Sequence, residues 1–477
     1  MNSSFYNTGF ILAGTQSSSG KTLLNAIVLS ALKARGIACQ PFKTGPDYID
    51  SAYSERYAGK PCYNLDYWMM GNEAIVSIAR HKTSHAIGVV EGVMGLFDGV
   101  SPESSEGSTY SVAQWLRWPV FLVIPAAKQG RSIRATIRGF VEEAGPGVIH
   151  GIILNKVSGP SHAEYLKRAI ADLGIPVTGA IPLLPDMDWP ERHLGLQASQ
   201  EWIPTPASRL VEVATQWLDM DQMLDLAAAN KPTQPIETPT PFAVQPWGKG
   251  KRLAIARDEA FHFYYRGNFD TLEAWGFSWT PFSPLHDREL PAGIDGLILG
   301  GGFPELYSEA LARNTSMRDS IHHAIQVGLP CYAECGGFMY LTEGIVRSES
   351  EVDPMVGIVP GHIHMTDRLQ HFGYAEGSFE GTTTGFPGHE FHHSIWDLEE
   401  EKANLWTVKK PSRSKARKEG YALPHLHASY MHLYFLSAES IFRKLFGSVP
   451  EENRFTTHNS TGRYSNDNRA ITHPGKP

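Results

Sequence analysis

The chain has 477 residues, of which 42% are hydrophobic and 19% charged, and its net charge is −8 at pH 7. This composition is typical of a globular protein of roughly two to four domains and excludes a fully disordered chain. The negative charge argues against a nucleic-acid partner, because binding to phosphates requires clustered Lys and Arg.

Cysteine usage and hydropathy predict the compartment. The four cysteines stand at 39, 62, 331 and 335, so no pair has the CxxC spacing. So few cysteines in a long chain predict a reducing compartment rather than a disulfide framework. The sequence contains no apolar stretch near the roughly 18 residues that a membrane span needs. We therefore expect a cytoplasmic protein with no membrane partner.

Short apolar runs alternate with segments of helical length, which predicts an α/β protein with parallel strands covered by helices. The first four runs are residues 10–13, 87–90, 120–124 and 148–154. We expect residues 1–230 to form a doubly wound parallel sheet domain. The Pro/Thr-rich stretch 231–248 is predicted to be a linker. Similar apolar runs begin again at 252–256, which predicts a second α/β domain over 249–450. The polar residues 451–477 are predicted to form a disordered tail.

A glycine-rich loop follows the first apolar run and precedes a helical pattern. Its sequence from Gly14 is GTQSSSGKT, one residue longer than the common G-x-x-x-x-G-K-[ST] form. The backbone N–H groups of such a loop bind phosphates at a helix N-terminus. We predict ATP binding by the backbone of Gly14, Thr15 and Gly20 and by the Lys21 charge, with the hydroxyl of Thr22 as a Mg²⁺ ligand.

Two acidic segments follow the next predicted strands. KTGPDYID at 43–50 contains Asp47, and EGVMGLFDG at 91–99 begins with Glu91. Carboxylates at the C-terminal ends of parallel strands lie over the crevice where open α/β sheets bind ligands. Because Mg²⁺ takes one or two carboxylates beside phosphate oxygens, Asp47 and Glu91 are predicted to complete the metal site with Thr22.

A candidate acyl-transfer site lies in the second half of the chain. Cys335, in AECGGFM, falls between a predicted strand and a predicted helix, where a helix N-terminus lowers the pKa of a thiol. His432 is the best placed histidine to act as its base. The N–H groups of Gly301, Gly302 and Gly336 are predicted to bind an oxyanion in the glutamine pocket. A Cys–His pair of this kind predicts release of ammonia from glutamine.

Two other classes of protein match parts of the sequence. The run HEFHH at 389–393 fits the zinc-hydrolase signature H-E-x-x-H, but that site requires both histidines on a helix, and the run follows the turn-forming FPG. A partitioning-type switch ATPase would share the phosphate loop. Such loops usually carry an additional Lys near their start, whereas this loop has only Lys21, and a switch ATPase needs no Cys335.

These segments together resemble the cobyrinic acid a,c-diamide synthase family, over about residues 9–446. Besides the segments quoted above, the resembling motifs are PERHLGL at 190–196, ARDEAFHFYY at 256–265, FSPLHD at 282–287, LGGGFPE at 299–305, MTDRLQHFGY at 365–374, GHEFHHS at 388–394 and ASYMHLYF at 428–435. The resemblance implies an N-terminal domain similar to dethiobiotin synthetase and a C-terminal, flavodoxin-like class I glutamine amidotransferase domain.

The resemblance also implies the reaction. ATP would phosphorylate the a and c carboxylates of a tetrapyrrole, and ammonia from glutamine would displace the phosphate, in cobalamin biosynthesis. Asp47, Tyr48 and Asp98 would line the tetrapyrrole site. Small molecules are thus the expected partners. The sequence leaves open whether the macrocycle is cobyrinate, hydrogenobyrinate or nickel-sirohydrochlorin, whether the related cobyric acid synthase reaction applies, and whether the chain forms a homodimer.

Three positions depart from the related patterns. Many related amidotransferases carry Glu two residues after the base, where this chain has Tyr434, so the orientation of His432 must come from elsewhere. Pro125 stands where an Asp is expected after a strand, and His393 replaces an aromatic residue.

Overall fold

The computed structural model describes residues 7–187, 189, 205–230, 244–348, 351–382, 385–398, 402–411 and 415–447, with the backbone of 191–192 and 195–196. The predicted tail, and the predicted linker up to residue 243, lie outside these ranges.

A parallel seven-stranded sheet forms the first half, with the order β3-β2-β4-β1-β5-β6-β7. Its strands are β1 (Gly9–Gly14), β2 (Cys39–Thr44), β3 (Tyr63–Leu65), β4 (Ile87–Gly95), β5 (Val120–Pro125), β6 (Ile149–Val157) and β7 (Val177–Pro182). Most of their residues are buried, because helices cover both faces of the sheet. The phosphate loop follows the central strand, β1.

The helices of this half are α1 (Lys21–Ala34), α2 (Ile49–Ala58), α3 (Tyr67–Lys82), α4 (Thr109–Leu116), α5 (Ile133–Ala144), α6 (Pro160–Ile170), α7 (Ala207–Trp217) and α8 (Met220–Ala229). Two short strands, β8 (Glu191–Arg192) and β9 (Gly195–Leu196), pair with each other. Helix α1 begins at Lys21, so the predicted phosphate-binding Lys21 and the predicted metal ligand Thr22 both lie in its first turn.

The second half is built on a sheet of order β11-β10-β12-β13-β23-β22. Its strands are β10 (Arg252–Ala256), β11 (Ser278–Phe282), β12 (Gly296–Leu299), β13 (Cys331–Glu334), β22 (Tyr421–Leu423) and β23 (Leu426–Ser429). The first five positions are parallel and follow the 2-1-3-4-5 order of flavodoxin-like folds, and β22 is antiparallel. The predicted fold class is therefore confirmed.

Within the ranges given above, two smaller sheets and five α-helices complete this half. The sheets contain β14 (Thr342–Ser348), β15 (Glu351–Pro354), β16 (Val359–Met365), β17 (His371–Ser378), β18 (Gly385–His392), β19 (Ser394–Trp396), β20 (Trp406–Lys409), β21 (Arg417–Glu419) and β24 (His432–Leu433). The helices are α9 (Arg266–Ala274), α10 (Ser308–Arg313), α11 (Thr315–Gln326), α12 (Gly336–Leu341) and α13 (Glu439–Phe446). Within the described residues, no helix is long and apolar enough to cross a membrane.

The two halves pack against each other. Tyr265 and Tyr434 from the second half belong to the hydrophobic core on one face of the first sheet. Polar contacts cross the same interface: Asp270 accepts hydrogen bonds from the Tyr63 hydroxyl and the Lys82 ammonium, each at 2.7 Å. This packing brings the C-terminal ends of both parallel sheets toward one cavity.

Candidate active site

The phosphate loop is held in a conformation that requires glycine. A Cβ on Gly14 would lie 2.2 Å from Ser19 Oγ and 2.9 Å from Lys21 Nζ, so only glycine leaves room for the lysine. Gly20 has a φ of 87°, in the left-handed region that favours glycine. Asn155 Nδ2 donates to the carbonyl of Ser19 at 2.8 Å and so ties the loop to β6.

The Lys21 ammonium is folded back over its own loop. Its Nζ donates to the carbonyl oxygens of Met94, at 2.6 Å, and Gln16, at 3.2 Å. Burial and the nearby Lys43 charge lower the pKa of Lys21 to about 8. A phosphate group here would compensate for that desolvation, because it would pair with a cation whose hydrogen bonds within the described residues go to neutral oxygens.

Thr22, in the first turn of α1, contacts Glu91, in the middle of β4. Thr22 Oγ1 donates to Glu91 Oε1 at 2.7 Å, and Asn25 Nδ2 donates to the other carboxylate oxygen at 3.1 Å. Burial raises the pKa of Glu91 to about 7, against the opposing effect of the Lys43 ammonium. Lys43 Nζ lies 3.0 Å from Glu91 Oε1 and 2.6 Å from Asp50 Oδ2.

The acidic partner that shares Lys43 with Glu91 is Asp50, which the sequence prediction did not include. The Asp47 carboxylate accepts hydrogen bonds from two backbone N–H groups at the start of α2, those of Ile49 at 2.8 Å and Asp50 at 2.9 Å. Burial and the nearby Asp50 charge raise the pKa of Asp47 to about 6. Burial would also raise the pKa of Asp50. The charge of Lys43 and its hydrogen bond to Asp50 outweigh this effect, so the pKa of Asp50 is lowered.

These oxygen donors fit Mg²⁺. The Thr22 hydroxyl and the Glu91 carboxylate are hard ligands beside a phosphate loop, and Mg²⁺ takes few protein ligands when it binds a nucleotide. The part of the chain that the structure describes contains no group of three His, Cys, Asp or Glu side chains arranged to hold a metal alone. The donor set thus suits a cation that arrives with a nucleotide.

Cys335 lies at a sharp turn between β13 and α12. Its φ of 49° and ψ of −108° are strained for a residue with a side chain, as at a nucleophile elbow. Its backbone N–H donates to the carbonyl of Ser429 at 2.8 Å, and its carbonyl accepts from Met339 at 3.0 Å. The thiol is presented at the N-terminus of α12, as the sequence predicts.

His432 lies beside this thiol on β24. Its imidazole is hydrogen-bonded to Cys335, and its Nδ1 is 3.2 Å from Glu334 Oε1. Burial disfavours the imidazolium, but the charges of Cys335 and Glu334 and the hydrogen bonds to both raise the pKa of His432 to about 10. The geometry therefore pairs the Cys335 thiol with the imidazole of His432, and the Glu334 side chain orients the ring.

The predicted oxyanion glycines surround this pair. A Cβ on Gly336 would lie 3.0 Å from the backbone nitrogen of Gly302, and one on Gly301 would lie 2.5 Å from the His432 ring. Gly302 is the most constrained: its φ is 156°, and a Cβ there would lie 2.0 Å from the carbonyl oxygen of Ala260. The three glycines thus let two loops approach each other beside Cys335.

One cavity of about 1020 Å³ joins the two groups of residues. From the first half it is lined by Asp47, Tyr48 and Asp98, and from the second by Cys335 and His432. Asp98 Oδ2 also accepts the backbone N–H of Gly95 at 2.7 Å, which fixes the carboxylate at the end of β4. The cavity is large enough for a macrocycle, since small-molecule sites commonly measure about 300–1,000 Å³.

The HEFHH run does not form a zinc site. His389 and Glu390 lie on strand β18, whereas the zinc-hydrolase site requires a helix. Burial and the neighbouring His432 charge lower the pKa of His389 well below its usual value. Its ring stacks on His432, with the centroids 4.8 Å apart.

Comparison with known proteins identifies the family. Residues 10–196 match the family model described as the CobQ/CobB/MinD/ParA nucleotide binding domain. Residues 252–440 match the CobB/CobQ-like glutamine amidotransferase domain. The cobyrinate a,c-diamide synthase of Syntrophotalea carbinolica is 38% identical over 442 residues, which cover 90% of this chain and 95% of that protein. The enzyme of the same name from Priestia megaterium is also 38% identical, over 91% of this chain and 95% of that protein. The chain belongs to the cobyrinate a,c-diamide synthase family.

The sequence alone did not predict several residues that contact the phosphate loop, the cavity or the Cys335–His432 pair. Most of them lie within or beside the motifs quoted above, but their roles depend on contacts between distant segments: Asn25, Lys43, Asp50, Asn155, Tyr265, Glu334 and His389. Glu334 could have been found, because it directly precedes the nucleophile and the departure at Tyr434 had left the orienting carboxylate unassigned.

Proposed function

We propose that this chain is an ATP-dependent, glutamine-hydrolysing amidoligase that converts the a and c carboxylates of cobyrinate to amides, in cobalamin biosynthesis. The observation that carries the proposal is the shared cavity, which holds Asp47 and Asp98 beside the phosphate loop at one side and Cys335 with His432 at the other. A shared cavity gives the ammonia released at one group of residues a path to the other. The names of the relatives supply the substrate.

In the synthetase half, a carboxylate becomes an electrophile when its oxygen is phosphorylated. The loop N–H groups and Lys21 would bind the ATP phosphates, and charge stabilisation would dominate the transfer of the γ-phosphoryl group. The products are ADP and an acyl phosphate. Ammonia then attacks the acyl carbon and inorganic phosphate leaves. Asp47, Tyr48 and Asp98 would position the tetrapyrrole carboxylate.

Thr22 and Glu91 would hold Mg²⁺ with the nucleotide, and Asp47 lies on the neighbouring loop. When bound, the cation would neutralise charge on the phosphate oxygens. Lys43 would keep the Glu91 carboxylate ionised in its buried position, because it supplies the nearest positive charge.

In the glutaminase half, the Cys335 thiolate would attack the glutamine carboxamide carbon. His432 would donate the proton that lets ammonia leave, and water would then hydrolyse the thioester to glutamate. The N–H groups near Gly301, Gly302 and Gly336 would stabilise the tetrahedral oxyanion. Glu334 would keep the imidazole in the productive orientation.

The test is a reconstitution with Mg-ATP, glutamine and cobyrinate, followed by mass spectrometry. We expect two successive acid-to-amide mass shifts. Cys335→Ala should abolish the shifts with glutamine and retain them with ammonium salts. If hydrogenobyrinate or nickel-sirohydrochlorin is amidated and cobyrinate is not, the proposed mechanism holds but the substrate is that other tetrapyrrole. If no tetrapyrrole is amidated with either nitrogen source, the proposal is wrong.

A further inference from the structure

Tyr48 connects the two halves at the glutaminase site. It belongs to the loop between β2 and α2, directly after Asp47, and therefore to the synthetase half. Its ring stacks on two aromatic residues of the other half, with centroids 5.0 Å from Phe263 and 4.4 Å from Tyr265. This stacking carries the Tyr48 hydroxyl to within 3.1 Å of His432 Nδ1.

The same ring nitrogen thus has two oxygen neighbours, since Glu334 Oε1 lies at 3.2 Å. A carboxylate only accepts, so the bond to Glu334 requires a proton on Nδ1. With that proton in place, the Tyr48 oxygen also accepts from Nδ1–H. The hydrogen bond is then shared between a carboxylate of one half and a phenol of the other, and both stabilise the imidazolium.

The remaining contacts of the phenol agree with this direction. The Tyr48 and Tyr265 hydroxyls are hydrogen-bonded to each other, and Tyr265 in turn contacts His389 Nε2. Burial keeps His389 uncharged, so its Nε2 can accept from Tyr265. The Tyr265 hydroxyl also lies 3.2 Å from the carbonyl oxygen of Pro46, which can only accept. Tyr265 therefore gives its single proton to His389 or to Pro46 and accepts from Tyr48, so the Tyr48 oxygen lone pairs can accept from His432.

We propose that Tyr48 is a positioning residue of the glutaminase site, supplied by the synthetase half, so that the Cys335–His432 pair is complete only when the loop at 45–50 is docked. This inference rests on the proposed glutaminase chemistry. Its consequence is a direct physical link between the two sites: a ligand that moves Asp47 also moves an acceptor of the catalytic imidazole, through the adjacent residue.

The test is Tyr48→Phe in the full chain, measured as glutamine hydrolysis without ATP and without tetrapyrrole. Phe keeps the stacking and removes only the hydroxyl. We expect kcat to fall about tenfold with the glutamine KM within about twofold, as for loss of a hydrogen bond to a charged group. We also expect the alkaline limb of the kcat profile to move to lower pH, because the imidazolium loses an acceptor.

The matched control is Tyr63→Phe, which removes another tyrosine hydroxyl that crosses the interface, the one that donates to Asp270. It should leave kcat and the pH profile unchanged, and an equal loss in both variants would mean that the interface, not Tyr48, sets the rate. If Tyr48→Phe hydrolyses glutamine like the parent, the inference is wrong while the proposed function stands. If the parent hydrolyses no glutamine even with Mg-ATP and cobyrinate present, the proposed function itself fails.

Discussion

The Glu334 carboxylate lies 3.2 Å from Nδ1 of His432, and each side chain is only 2% exposed. The second oxygen of Glu334 accepts from the Tyr332 hydroxyl at 2.8 Å, so the carboxylate is held from both sides. The residue directly before the nucleophile therefore supplies the carboxylate beside His432 in this chain. Tyr434, which stands at that later position, packs instead in the core between the two halves.

We expect Glu334→Gln to lower the kcat of glutamine hydrolysis by about 10-fold to 100-fold, the loss typical when the hydrogen-bond partner that orients a metal-ligating histidine is removed. The amide keeps the size but removes the negative charge, so the pKa of His432 falls from about 10 and the alkaline limb of the profile moves to lower pH. Steady-state kinetics between pH 6 and about 11 measure both effects. Glu343→Gln, an exposed carboxylate that does not line the cavity, is the control. An unchanged pH profile would contradict this role for Glu334.

Local pattern was sufficient to predict some parts of the site and not others. A strand followed by Cys335 and two glycines predicts an elbow, and the GKT run predicts the phosphate loop, because both motifs are contiguous. The pairing of Lys43 with Asp50 and Glu91 depends on the register of β2 beside β4. The contact between Tyr48 and His432 joins residues 384 positions apart, and it depends on how the two halves dock. No periodicity encodes that docking, so only the structure reveals it.

The Thr22 hydroxyl is predicted to serve the synthetase reaction alone. Thr22→Val keeps the shape of the side chain and removes the oxygen that lies 2.7 Å from Glu91. We expect amidation to fall at least about 10-fold with either glutamine or ammonia, because the phosphate site loses a metal ligand. Glutamine hydrolysis should persist. Thr215→Val, on an exposed face of α7, is the control. If Thr22→Val loses amidation and glutamine hydrolysis equally, Thr22 does not serve the synthetase reaction alone.

Gly302 is predicted to tolerate no side chain. In Gly302→Ala the new Cβ would meet the carbonyl oxygen of Ala260 at 2.0 Å, so the loop beside Cys335 must shift. We expect glutamine hydrolysis to fall at least about 10-fold, because a displaced oxyanion donor costs roughly that much or more. Ammonia-dependent amidation should persist, which separates the effect from global unfolding. Gly139→Ala, where a Cβ meets nothing within 4 Å, should behave like the parent.

His427 is predicted to make the fold less stable in acid. Its ring is buried and stacks on Tyr332, with the centroids 5.2 Å apart. Burial, together with the charge of Lys444, lowers the pKa of His427 to about 3. Below pH 6.5 the unfolded chain binds a proton at this residue that the folded chain does not, so the folded state loses about 1.4 kcal/mol per pH unit as the pH falls.

In His427→Gln the unfolded chain no longer binds a proton at position 427. The variant should have a lower melting temperature than the parent at pH 7.5, where it loses packing, and the difference should shrink at pH 5 by the equivalent of about 2 kcal/mol. Thermal melts of both proteins at the two pH values measure it. His81→Gln, at an exposed histidine, should follow the parent at both. A parent–variant difference that stays constant between pH 7.5 and pH 5 would mean that His427 takes up a proton in the folded protein, through a partner or water that offsets its burial.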